Sequence, residues 1–193
     1  MDWCQVDAES QVPESVDSAK DVLSILSTVS ANHKVETLAT TLSQLRRWMG
    51  SDLAEVEAGL AAIEHRDTPV HDSARHLLSQ KGKRLRPLCV ALAARVGSGF
   101  GATARELAIA VELVHSATLL HDDVIDLGDK RRGVDTARVI YGNAGSIYAG
   151  DWLLVDALRR IQRVGIPGLL DKSLSVLHEI LEAEALQLAN RGN

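Results

Sequence analysis

Apolar residues recur along most of this chain at helical spacing and almost nowhere in strict alternation. Between Val35 and Ile63, the residues Leu38, Leu42, Leu45, Met49, Leu53, Val56 and Leu60 follow one another every third or fourth position, the repeat of one helix face. Gly50-Ser51-Asp52 interrupts the run, with Ser51 or Asp52 placed to cap a second helix, so this stretch predicts a helical pair. The polar segment Glu64 to Asp72, which includes Pro69, breaks the pattern ahead of a short helix ending near Gln80. Leu88 to Val96 reads as another helix, with Pro87 in its first turn and Gly97 to Gly101 closing it.

Thr103 to Val124 is the longest apolar stretch, with Arg105, Glu106 and Glu112 as its only charges before His121. A helix of that kind is buried on most sides and sits centrally in a bundle. After a loop from Leu127 to Asp135, helical patterns resume over Ser146 to Arg163 and Leu170 to Leu188, separated by Gly165-Ile166-Pro167-Gly168. Nothing reads as a strand or as an internal repeat. Residues 1–34, rich in Ser, Asp and Val, read as a polar tail with one short helix around Ser18 to Val29, which leaves 35–193 for the bundle.

Composition agrees with an all-α fold. Apolar residues make up 46% of the 193 positions and aromatics only 3%, a Leu/Ala/Val balance that suits packed helices better than sheets. The length allows one well-filled domain. A net charge of −5 provides no global positive field for nucleic acid or anionic lipid, so any phosphate site has to be local. Cys4 and Cys89 form no metal-spaced or C-x-x-C pair, and Cys89 reads as plain core. The acidic N-terminal stretch lacks the pattern of a signal peptide, and no apolar run approaches the roughly 20 residues that span a bilayer. The expectation is a cytoplasmic protein without a transmembrane segment.

The chemistry concentrates in "LLHDDVIDLGDKRRG", Leu119 to Gly133. Asp122 and Asp126 are four residues apart on one helix face, with Asp123 one step round. Carboxylates gathered at a helix C-terminus repel one another and the helix dipole, so the arrangement calls for cations. All the donors are hard oxygens, which favours Mg²⁺ over zinc, and Mg²⁺ completes its coordination with water and phosphate oxygens. Taken alone, the cluster also fits a solvated helix end. Two basic runs add to it: Lys130-Arg131-Arg132 directly behind, and Lys81-Gly82-Lys83-Arg84-Leu85-Arg86-Pro87 upstream at a helix N-terminus, both suited to a diphosphate. His115, two turns before Asp122 with Thr118 between them, points at the same place. His121 reads as structural or as support for the acidic cluster.

These residues resemble the trans-isoprenyl diphosphate synthases (polyprenyl synthetases), particularly their long-chain, octaprenyl-like branch. "GKRLRP" is similar to the family's G-K-x-x-R-P signature and "HDDVIDLGDKRRG" to its first DDxxD motif. "GNAGSIYAGDWLL" resembles its G-N…G-D segment, and "EAEALQL" its E-x-x-Q helix. The resemblance implies an isoprenoid-synthase helical bundle that condenses isopentenyl diphosphate with an allylic diphosphate. By position, Asp122, Asp123 and Asp126 would hold Mg²⁺ on the allylic diphosphate, with Arg131 touching that diphosphate directly. Lys83, Arg86, His115 and Arg132 would grip isopentenyl diphosphate, and Gln187 would sit near the allylic group. Small residues at Ala117 and Thr118, where the family sets the floor of its product tunnel, imply a long product.

The family also carries a second DDxxD on a later helix, whereas this sequence holds one Asp-Asp pair. The resemblance therefore leaves three forms open: part of a full synthase, one polypeptide of a split enzyme, or a non-catalytic subunit of a heteromeric synthase. The subunit reading has no use for an intact Mg²⁺-ready cluster. A class I terpene cyclase also uses DDxxD, but it needs no isopentenyl site such as Lys83, Arg86 and His115 would form. Assembly as a homodimer, or completion by a second polypeptide, is implied by the resemblance alone.

Overall fold

A computed structural model describes residues 22–80 and 82–190, so Lys81 and the expected helical start at Ser18 lie outside the described residues. The chain is all-helical, as the periodicity predicts. In order, α1 spans Val22–Asn32, α2 Glu36–Ala61, α3 Pro69–Ser79, α4 Leu85–Val96 and α5 Ala102–Ile125. A two-residue ladder follows, β1 Lys130–Arg131 against β2 Val134–Asp135, and then α6 Ala137–Val164 and α7 Leu169–Ala189.

Helix α5 is central. Ala108, Ile109, Leu113, Ala117 and Leu120 are at most 2% exposed and face α2, α3 and α6 in the main core. The largest interface joins α5 to α6, which runs back alongside it: Ser146 Oγ donates to Leu120 O at one end, and Arg160 bonds Glu106 at the other. A smaller core of Leu23, Met49, Leu88 and Ala91 ties α1, α2 and α4 together. The part of the expected tail that is described is thus packed onto the bundle, with Val22 N–H donating to Lys83 O.

Four sequence expectations change. The helical pair over 35–63 is one continuous helix, because Asp52 does not cap. It is 3% exposed and takes a two-pronged bond from Arg95 at 2.6 and 2.8 Å, and the helix-interior cost of Gly50, about 1 kcal/mol, is outweighed by the burial of Met49, Val56 and Leu60 around it. The break expected over Glu64 to Asp72 ends earlier, because Pro69 opens α3: a proline at the first position loses no bond, and Thr68 Oγ1 caps by accepting from His71 N–H. Helix α6 begins at Ala137, nine residues before the expected Ser146, and bends at Gly142, where φ is 78°. Cys89 is exposed on a cavity wall, not in the core.

Among the described residues, no helix is long and apolar enough to cross a membrane. Helix α7 has no buried residue, and Leu181, Leu186 and Leu188 stand more than half exposed along it.

Candidate functional site

A cleft of about 1270 Å³ lies between α4, α5 and α7, with Ile161 of α6 contributing at one end. Helix α5 lines it with one stripe: Val111, Val114, His115, Thr118, His121, Asp122, Ile125 and Asp126. From Val111 to Asp122 that stripe is about 16 Å long at the rise of an α-helix. The far wall is α7, running from Lys172 and Ser173 through Val176, Leu177 and Ile180 to Glu184 and Gln187. One end of the cleft is therefore acidic and the middle apolar. Arg86 and His115 stand at the transition.

Asp122 and Asp126 face the cleft together. Asp123 does not join them: it is 5% exposed, and Arg131 holds it through Nη2 at 2.8 Å and Nε at 3.2 Å. The sequence expectation groups all three carboxylates, and helical geometry separates them here by turning Asp123 about 100° from Asp122 towards the hairpin. Among the described residues, no group of three or more His, Cys, Asp or Glu side chains is arranged to hold a metal ion. The pair of Asp122 and Asp126 nevertheless fits Mg²⁺, which needs only one or two carboxylates when phosphate oxygens complete the shell. Partial burial holds the Asp122 carboxyl above its ordinary range, and the negative charges of Glu184 and Asp126 add to this. Arg131 opposes them only in part.

The basic side is built by the hairpin and the loop before α4. Arg132 and Gly133 carry φ of 53° and 81°, the two left-handed central residues of a tight hairpin turn. That turn brings Arg132 against Gln80 O and Gly82, where a side chain at Gly82 would lie 3.3 Å from Arg132 Nη1. Gly82 is thus a cradle for the guanidinium. Arg84, also left-handed at φ 48°, is 8% exposed and bonds Glu112 at 2.7 Å and Glu57, fixing the loop that presents Arg86. Burial holds His115 below its ordinary pKa. The positive charges of Arg86, Arg131 and Arg132 push the same way, against Glu112.

With this geometry in place, comparison with known proteins decides the family. Residues 67–193 match the sequence profile of the family described as polyprenyl synthetase. The chain belongs to the polyprenyl synthetase family. It is 36% identical over 151 residues to heptaprenyl diphosphate synthase component 2 of Geobacillus stearothermophilus, covering 78% of this chain and 47% of that protein. Octaprenyl diphosphate synthase of Escherichia coli (strain K12) is 34% identical over 150 residues, with 77% and 46% covered. The polyprenyl synthase of Caulobacter crescentus CB15, solved in complex with calcium and isoprenyl diphosphate, superposes with a TM-score of 0.69 at 35% identity, over 78% of this chain and 46% of that one. The fold is that of these isoprenoid synthases, and the chain spans about half the length of the curated relatives it matches.

Of the residues named from sequence, Arg86, His115, Thr118, Asp122, Asp126 and Gln187 share the cleft. Arg131 and Arg132 lie beside it, within reach of His115 electrostatically. Lys83 is exposed on its loop and does not line the cleft. Ala117 is also set apart: at 2% exposure it packs into the main core, so of the two expected floor residues only Thr118 meets the cleft. Glu184, the acid of the E-x-x-Q stretch quoted above, received no role from the sequence, although it sits three positions before Gln187 and hence on the same face. Gly150 and Asp151, quoted there only as part of the G-N…G-D segment, likewise received no role. A side chain at Gly150 would lie 2.4 Å from His121 Nε2, and Asp151 approaches that same nitrogen at 3.2 Å. The "GD" of the G-N…G-D segment thus seats the helix end that carries Asp122.

Proposed function

We propose that this chain forms the diphosphate-binding part of a Mg²⁺-dependent trans-polyprenyl diphosphate synthase, which transfers an allylic prenyl group to isopentenyl diphosphate and releases pyrophosphate. One observation carries the reading: a single cleft is lined by a carboxylate pair at one end, a cationic shoulder beside it and an apolar lane beyond. Each part suits one portion of an allylic diphosphate and its partner.

Asp122 and Asp126 hold Mg²⁺ on the allylic diphosphate, and Arg131, beside Asp123, adds charge to it. Bound Mg²⁺ supplies positive charge to the departing pyrophosphate. Arg86, His115 and Arg132, with Lys83 from the loop, bind isopentenyl diphosphate. The allylic C–O bond breaks, the isopentenyl double bond attacks the resulting cation, and loss of a proton completes each addition. Val111, Val114 and Thr118 face Val176, Leu177 and Ile180 and keep water from that cation. Gln187 lies near the allylic group. Thr118, on the cleft where Ala117 is not, takes over the role of limiting product length.

The exposed apolar side of α7 favours completion of the cleft by further polypeptide, either in a second copy or in a separate chain. The test is incorporation of labelled isopentenyl diphosphate into farnesyl diphosphate with Mg²⁺, by this chain alone and with a polypeptide carrying a second aspartate motif. Labelled polyprenyl products, lost on Asp122→Asn, are expected. Failure in both settings would overturn the proposal.

A further inference from the structure

The withdrawal of Asp123 leaves the acidic mouth with two carboxylates from α5, yet a third acid faces them from the other side. Glu184 of α7 lines the same cleft, at the same end as Asp122 and Asp126. It is the only acid that α7 gives to the described lining, on a wall where Val176, Leu177, Ile180 and Leu181 present hydrocarbon and Lys172, Ser173 and Gln187 the other polar groups. Within two turns on either side of Glu184, the other acids of α7, Glu179 and Glu182, are absent from the lining. A carboxylate placed across from two others is costly unless a cation lies between them.

We propose that Glu184 is a positioning residue for the Mg²⁺–diphosphate held by Asp122 and Asp126, supplying from α7 the third acid that Asp123, bound to Arg131, does not supply. The inference rests on the reading of the cleft as a Mg²⁺–diphosphate site. Mg²⁺ keeps several of its waters, and a carboxylate on the facing wall receives hydrogen bonds from them without joining the ion directly. This agrees with the lack of three converging ligands among the described residues. It also links α7, which is otherwise without buried residues, to occupancy of the site: when the ion binds, α7 gains a tether to α5.

Calorimetry with Mg²⁺ and inorganic pyrophosphate on the full chain tests this, comparing wild type with Glu184→Gln and with Glu182→Gln as a control off the cleft. Glu184 is exposed, so the glutamine variant is expected to melt as wild type does without ligand. Removal of a group that orients a metal site through its immediate ligands costs roughly 10–100-fold in affinity. The expected result is at least a tenfold weaker Mg²⁺-dependent affinity in Glu184→Gln, recovered at higher Mg²⁺, with Glu182→Gln unchanged. Equal affinities in Glu184→Gln and wild type would overturn the role of Glu184 and leave the site reading intact. Absence of Mg²⁺-dependent binding in wild type would overturn both.

Discussion

Asp122, the proposed Mg²⁺ ligand, sits at an electrostatic disadvantage in the ligand-free chain. Its carboxyl is raised above the ordinary range by partial burial and by Glu184 and Asp126, so ionising it costs more in the folded chain than in the unfolded one. The contribution of this residue to stability is therefore complete below the unfolded value of 3.8 and is lost as pH rises through the folded pKa. Asp122→Asn is expected to raise the melting midpoint of the metal-free chain by about 1–3 °C and to abolish the further rise that Mg²⁺ with pyrophosphate gives wild type. Scanning calorimetry with and without both ligands checks the pair of outcomes. His115 has the opposite sense of protonation: burial first, and Arg86 next, keep it neutral. Its contribution is complete above the unfolded value of 6.5 and is lost as pH falls through the folded pKa, because the unfolded chain then takes the proton first. An imidazole titration by NMR is expected to show a midpoint below 6.5 in the free chain and a higher one once a diphosphate sits against Arg86 and Arg132.

At the scale of elements, the pairing of Asp123 with Arg131 decides how the acidic motif is presented. The hairpin of β1 and β2 is too short to stand alone. It is held by Thr136 Oγ1 to Gly128 O, by Asp135 O bonded to His76, and by Arg131 on Asp123. Arg131→Ala would leave the Asp123 carboxylate buried without its cation, a loss of about 3 kcal/mol, to be read as a lower urea midpoint at unchanged slope. Helix existence and order were legible from apolar spacing, and so was the gathering of Arg86, His115, Asp122 and Asp126. What escaped the sequence depended on partners far along the chain. Asp52 looks like a cap until Arg95 is brought beside it, Ala117 looks like a tunnel floor until α6 covers it, and the left-handed turn at Arg132 has no marker apart from Gly133. Three neighbouring aspartates also look equivalent in a sequence, and only the hairpin tells Asp123 from Asp122.

For the molecule as a whole, two well-packed cores support an open face. Helices α1 to α6 bury their apolar sides in one another, while α7 lines the cleft and leaves Leu181 and Leu188 on its wall, with Leu186, more than half exposed. On the proposed reading the packed part positions charge, and the open part would accommodate hydrocarbon and further polypeptide. The central claim is that Mg²⁺ joins an allylic diphosphate to this cleft through Asp122 and Asp126. It is tested most directly by calorimetric binding of farnesyl diphosphate to the chain with Mg²⁺ and with a chelator. The account predicts saturable binding that requires Mg²⁺ and is lost in the Asp122→Asn, Asp126→Asn double variant. Binding of equal strength with the chelator, or in the double variant, would contradict it.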